Sequence, residues 1–283
     1  MKKQGIDLPG IGNARELGGY RIKDKVIRRG VLLRTGKLDQ ATTAALQRLQ
    51  EKYRLQTVVD FRMSTEKAGQ SDPEIPGAEY VHLPVFEIED MMEGTDPGQL
   101  AYYMEHATDR MALFEMSYEQ KLVDEKLYTR FLLGDRGKHA VREFFRLLME
   151  LEEERAILWH CADGKDRTGC AAMLILFALG ADRELVLRDY LLTNEFNAPM
   201  LGAIRAKVAP MRMPEEKLNL LLFMSGGVFP EYMDHAIDAL CEHYGSVHGY
   251  LKEECGLEKY ELEKLKEAFL VTDDHDQNSG GKL

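Results

Sequence analysis

Two rhythms of apolar and polar residues alternate along the first part of the chain. Val26–Leu33, Thr57–Phe61 and Ala156–His160 read as strands, Thr57–Phe61 as a buried one because it is an unbroken apolar run. Tyr80–Val85 is a weaker strand candidate. Between them, Thr43–Tyr53 has helical spacing, and Lys138–Glu154 sets Val141, Phe144, Phe145, Leu148 and Leu151 on one helical face. Thr168–Leu179 is apolar almost all round, as a central buried helix would be. Further on only the helical rhythm remains, in Arg183–Leu192, Glu215–Met224, Pro230–Tyr244 and Tyr260–Phe269. Pro230 suits a first helical turn and Gly245 a position just past a helix end.

No internal repeat or interdomain linker interrupts this pattern. Residues 1–271 therefore predict one α/β domain, a central sheet with helices on both faces and a helical C-terminal part. Residues 272–283 are polar, contain Gly280 and Gly281, and predict a disordered tail. Residues 86–135 are longer than a simple connection needs. Leu100, Tyr103, Met104, Ala107 and Met111 have helical spacing there, in a segment that also holds Met91, Met92, Tyr102, Leu113, Phe114 and Met116. Two readings stand: a helical insertion packed on the core, or a lid-like wall of adaptable side chains over a site.

Composition narrows the class. Apolar residues make up 45% and charged ones 30% of the 283 residues, as in ordinary soluble globular proteins. The net charge of −11 argues against nucleic acid as the main partner. Cys161, Cys170, Cys241 and Cys255 have neither a disulfide-framework nor a zinc pattern, which suggests a reducing compartment. Residues 1–9 lack an apolar secretory core, so a cytoplasmic location is expected. The longest apolar run, Cys170–Leu179, is too short for stable insertion in a bilayer.

The chemistry concentrates in Leu158-Trp159-His160-Cys161-Ala162-Asp163-Gly164-Lys165-Asp166-Arg167-Thr168-Gly169. A strand leads into a loop and the loop into a helix start, with one cysteine and an arginine six positions later. Such a loop turns backbone N–H groups inward and adds the positive end of a helix dipole, which suits a phosphoryl group. Ala162, Asp163, Gly164, Lys165, Asp166, Arg167 and Thr168 would wrap the anion. Gly164 and Gly169 would supply the tight curvature and positive φ that the loop demands. The same field favours the thiolate of Cys161. Arg167 offers a planar fork for two phosphate oxygens. Thr168 could donate its hydroxyl to the sulfur, His160 brace the loop through backbone hydrogen bonds, and Asp163 face solvent. The glycine–lysine pair is followed by Asp166, so this is not a nucleotide-binding Walker loop.

This spacing resembles that of the protein tyrosine phosphatase superfamily. The Gly164-Lys165-Asp166-Arg167-Thr168-Gly169 variant is similar to a bacterial tyrosine phosphatase family. Asn13-Ala14-Arg15-Glu16-Leu17-Gly18-Gly19-Tyr20, Leu33-Arg34-Thr35 with Leu38, and Val58-Val59-Asp60-Phe61-Arg62 with Glu66 resemble other segments of that family. Glu16 and Phe61 depart from its usual Asp and Leu. The pattern around Tyr244-Gly245-Ser246 and Tyr250-Leu251 also fits, so the resemblance spans roughly residues 6–270. It implies a phosphatase that uses a cysteine nucleophile and no cofactor or metal. Its substrates would be phosphotyrosine proteins or phosphoinositides, with phosphoserine and phosphothreonine in some members.

Several roles stay open on sequence alone. The general acid is Asp166 or Asp60. Asp166 lies inside the loop, whereas Asp60 ends a strand where ligands of α/β sheets gather but could equally be a carboxylate paired with Arg62 or Arg34. Lys165 is either a contact for a second phosphate or an ordinary surface lysine. The chain as a whole is either an enzyme or a phosphate-binding module that has lost turnover. The presence of both Cys161 and Arg167 favours the enzyme.

Overall fold

The central strand explains the sheet. In the computed structural model, which describes residues 4–87, 90, 98, 110–119, 121 and 123–273, Ala156–His160 is buried along its whole length. Its side chains alternate between two cores. Ile157 and Trp159 join a large helical cluster, while Ala156 and Leu158 join a smaller one. A strand covered on both faces has no polar side.

The strands in chain order are β1 (Arg15–Glu16), β2 (Arg21–Ile22), β3 (Lys25–Ile27), β4 (Leu32–Thr35), β5 (Leu55–Asp60), β6 (Glu79–His82), β7 (Ala156–His160) and β8 (Leu270–Thr272). Five form the main sheet in the order β1-β4-β7-β5-β6. β4, β7, β5 and β6 run parallel, and β1 is antiparallel at the edge. β7 thus lies between β4 and β5, with Thr35, His160 and Asp60 level across the sheet. Everything that follows these three residues gathers at one edge, beyond the carboxyl ends of the strands.

The smaller core is roofed by a helix at Thr43–Gln47 that widens into a π-helical turn at Arg48–Lys52; Ala45, Leu49 and Tyr53 pack down onto the sheet. The larger core holds Ala140, Val141, Phe144, Phe145, Leu147 and Leu148 of the helix Asp135–Met149. Beside it lies Arg167–Leu179, in which Phe177 alone is not buried. Helices Arg183–Phe196, Pro230–Tyr244, Val247–Cys255 and Lys259–Phe269 pack behind these. Pro230 opens its helix and Gly245 closes it at φ 74°. The α/β class, with helices on both faces, is as the sequence predicts.

Some expectations need correction. Val26–Leu33 is not one strand: β3 belongs to a separate sheet, β2-β3-β8, and β4 to the main one. The break is a turn at Gly30 (φ 77°), whose amide donates to Glu16 Oε2 while Arg29 pairs with Oε1 at 3.0 Å. Thr272, expected to open the tail, closes β8 against Lys25; residues 274–283 lie outside the described residues. The sequence reading also passed over Leu127–Leu133, Ala198–Val208 and Val247–Cys255 as separate helices. Ala198–Val208 buries none of its residues fully, and its apolar stripe of Leu201, Ile204 and Val208 is only half-buried. Among the described residues, no helix is long and apolar enough to cross a membrane.

Leu174 lies fully buried at the centre of the large core. Leu174→Ala should cost about 2–5 kcal/mol, read in urea as a lower midpoint with unchanged slope. A loss below about 1 kcal/mol would mean that this helix is not the packed centre.

Candidate active site

β7 delivers Cys161, 1% exposed, to the base of the loop. The loop is shaped by what holds its carbonyls. Gly164 O accepts from Asn13 Nδ2 (2.9 Å) and Arg34 Nη2 (3.1 Å), and Asp163 O accepts from the same Asn13 amide (3.3 Å). Ala162 O accepts from Lys37 N (3.0 Å). With these carbonyls drawn outward, planar trans peptides aim the N–H groups of Asp163, Gly164 and Lys165 to the opposite side. The first turn of Arg167–Leu179 adds its dipole there.

Gly164 is required twice over. Its φ is 67°, and a Cβ would lie 2.4 Å from the Thr35 carbonyl. Gly169 does not share that role. It sits inside the helix without positive φ, where a Cβ would meet Tyr190, Arg34 and Met233 at 3.5–3.7 Å. Thr168 also departs from expectation: its hydroxyl is buried and makes no hydrogen bond, so the anticipated bond to the Cys161 sulfur is not formed.

Arg167 is held in a fork by Glu66, with Nη2 donating to Oε1 at 2.9 Å and Nη1 to Oε2. The Met63 amide fixes Glu66 from behind at 2.8 Å. Burial works against the charge of Arg167, but Glu66, Cys161 and Asp166 raise its pKa above the usual value. Burial likewise pushes Glu66 up, and Arg167 and the Met63 amide outweigh it and hold the carboxyl low. Sequence reasoning saw Glu66 only as the last letter of a motif; its spacing from Arg62 was the available signal. Phe86 stands 5.3 Å from the Arg167 guanidinium and stacks on Phe131 at 4.8 Å. The described ends of residues 86–135 therefore pack against the site. Met91, Met92, Leu100, Tyr102, Tyr103, Met104 and Ala107 lie outside the described residues.

Asp166 Oδ1 accepts from Tyr128 Oη at 2.5 Å and from Lys165 Nζ at 3.1 Å. Lys165 is not a surface residue. It is 3% exposed, donates to Phe223 O at 2.8 Å and lies 3.7 Å from the centre of the Phe223 ring. That carbonyl ends the helix Glu215–Met224, where a cation is favourable.

Asp60 is engaged elsewhere. Arg62 Nε lies 2.9 Å from Oδ1, its Nη2 2.8 Å from Oδ2, and its amide 3.0 Å from Oδ1. Burial pushes the Asp60 carboxyl up, but Arg62 and His160 hold it below the usual range. His160 Nε2 lies 3.1 Å from Asp72 Oδ2, and its Nδ1 lies 3.2 Å from Cys161 O. Asp60, Asp72 and His160 are close enough to hold a metal ion. A guanidinium already lies among them, with Arg62 Nη2 2.8 Å from both carboxylates.

Beneath the loop lies a buried ion cluster that sequence reasoning missed. Asp189 pairs with Arg34, and its Oδ1 accepts from Arg15 Nε (3.4 Å) and Tyr20 Oη (3.1 Å). Arg15 also pairs with Asn13 Oδ1 and donates to Thr193 Oγ1. Burial pushes the Asp189 carboxyl up, yet Arg34 and Arg15 outweigh it and keep it low. Burial and the neighbouring Arg34 charge pull Arg15 down to about 10.

A buried cysteine and a clamped guanidinium on one loop before a helix start form an arrangement suited to a phosphoryl group. Residues 6–271 match the tyrosine phosphatase family, and the chain belongs to that family and is a phosphatase enzyme. A Cupriavidus necator protein provisionally named a tyrosine-protein phosphatase is 30% identical over 247 residues, covering 86% of this chain and 81% of that one. A triple specificity protein phosphatase, PtpB, of Mycobacterium tuberculosis is 28% identical over 282 residues, covering 93% and 98%.

Asp189→Asn should cost about 3–5 kcal/mol, because two buried guanidinium groups lose their counter-charge. The intact protein should lose stability in acid. Asp189, Glu66 and Asp60 have lower pKa values folded than unfolded. Their contribution is therefore full above pH about 4 and disappears as the pH falls through the folded values. Thermal unfolding from pH 7 to 3 tests this; a melting temperature that holds level below pH 4 would contradict it.

Proposed function

We propose that the enzyme hydrolyses phosphotyrosine through a cysteinyl-phosphate intermediate, without a metal. The observation that carries this reading is the Glu66 clamp on Arg167, which presents a planar fork on the same loop as Cys161. The Cys161 thiolate attacks phosphorus as the bond to the ester oxygen breaks, and Asp166 gives its proton to that oxygen. In the second step Asp166 takes a proton from water as the water attacks phosphorus. Inorganic phosphate leaves and the thiolate returns. Loop amides and Arg167 neutralise the equatorial oxygens throughout.

Asp60 braces the loops in this scheme. Arg62 engages both of its oxygens, and a carboxyl held low is a poor proton donor at neutral pH. Phosphoinositides are the second substrate class we assign, with weaker phosphoserine and phosphothreonine turnover. The name of the Mycobacterium tuberculosis relative supports breadth of this kind. Lys165 contributes by fixing Asp166 and Phe223 at the edge of the site; two of its three donors are engaged, which leaves one for a second phosphate. A binding module without turnover is disfavoured because nucleophile and fork are both present.

Cys161→Ser should abolish turnover of an aryl phosphate while phosphate analogues still bind, and Arg167→Lys should be nearly as damaging. The parent enzyme should keep its rate in excess chelator. Undiminished turnover by Cys161→Ser would end the thiol mechanism. Asp166→Asn should slow esters with poor leaving groups by about 10²–10⁴-fold and those with good ones far less. Asp60→Asn should slow all esters alike. The reverse pattern would move the acid to Asp60.

A further inference from the structure

We infer that Tyr128, backed by Tyr190, is a positioning residue that keeps the transferable proton of Asp166 on Oδ2. The inference rests on Asp166 being the acid. Asp166 occupies the N-cap position of the helix Arg167–Leu179, yet its side chain makes no capping hydrogen bond. An aspartate there ordinarily turns back onto the amides of the first turn, which contributes about 1 kcal/mol in typical helices. Something must hold this one away.

Two donors converge on Oδ1: Tyr128 Oη at 2.5 Å and Lys165 Nζ at 3.1 Å. Tyr128 is fully buried and comes from a helix, Leu127–Leu133, far from the loop in sequence. Its hydroxyl also lies 2.8 Å from that of Tyr190, which is buried too. Hydrogen counting sets the direction. A phenol has one proton, and an ionised Oδ1 has none to give. Tyr128 must therefore donate to Asp166 and accept from Tyr190, so the chain of donors ends on Oδ1. When Asp166 is protonated, a proton on Oδ1 would oppose the Lys165 ammonium, which can only donate, and would require both tyrosine hydroxyls to reverse. Oδ2 is left to carry the proton.

Helix Arg183–Phe196 thus serves both halves of the site through consecutive residues. Asp189 anchors the arginines under the loop, and Tyr190 backs the donor to the acid.

The test is a double-mutant cycle on a full-length enzyme with aryl phosphates of graded leaving-group ability. Tyr128→Phe removes one hydroxyl from a buried ring. It should slow the poorest leaving groups by about tenfold or more, a part of the usual general-acid contribution, with a smaller loss on the best. Inhibition by inorganic phosphate should stay unchanged. Combined with Asp166→Asn, Tyr128→Phe should cause no further loss, because a positioning residue has nothing left to position. Tyr190→Phe should give a weaker version of the same pattern. Melting temperatures check that each variant is folded. Equal loss across all leaving groups, or a full added loss in the double variant, would overturn the inference while leaving Asp166 as the acid. If Asp166→Asn itself shows no leaving-group dependence, the acid assignment fails instead.

Discussion

The outward pull on the Gly164 carbonyl is the contact on which the site depends. A loop of amides binds an anion only if its carbonyls are held on the other side, and nothing within the loop can hold them. Asn13 and Arg34 do so from two separate segments. Arg34 is the third residue of the strand beside β7, and Asn13 lies in the segment leading to the edge strand. The parallel pairing of β4 with β7 brings Arg34 level with Trp159, within reach of the loop beyond it. The sheet therefore shapes the loop directly.

Holding a carbonyl with a guanidinium creates a second problem. Arg15 and Arg34 are both fully buried, and an isolated buried charge is very costly. Asp189 offsets that cost and gives the helix Arg183–Phe196 a fixed position against the sheet. The cluster keeps one positive charge in excess, on arginines of which Arg34 reaches the loop through the Gly164 carbonyl. The ions that stabilise the fold also hold the loop, so substitutions in this cluster would alter both.

Around the reactive groups the same logic repeats with different partners. Arg167 has Glu66, Asp166 has Tyr128 and Lys165, and Asp60 has Arg62. Arg167 and Asp166 are oriented by residues from other segments and Asp60 by a near neighbour, as side chains that must stay within a fraction of an ångström require. The described ends of residues 86–135 take part through Phe86 and Tyr128, so that segment is joined to the site by packing and by a hydrogen bond.

The residues that form the loop were legible in sequence because they are contiguous. Their chemistry follows from a spacing of one loop between a buried strand and an apolar helix. The strands β5 and β7 and most long helices were legible for a similar reason, since burial imposes its period locally. The break between β3 and β4 was not, because it depends on Glu16 reaching the turn at Gly30 from another segment. Sequence likewise showed Asp60, Asp166 and Lys165 as chemically capable but could not say which groups they faced. The tertiary structure chose Arg62 over Arg34 as the partner of Asp60, placed Tyr128 on Asp166 and Phe223 on Lys165, and brought in Asp189 and the Glu66 clamp. The reason is physical: reactivity type belongs to a residue and its neighbours in the chain, whereas the orientation of Asp166, Lys165 and Arg167 depends on partners tens of residues away.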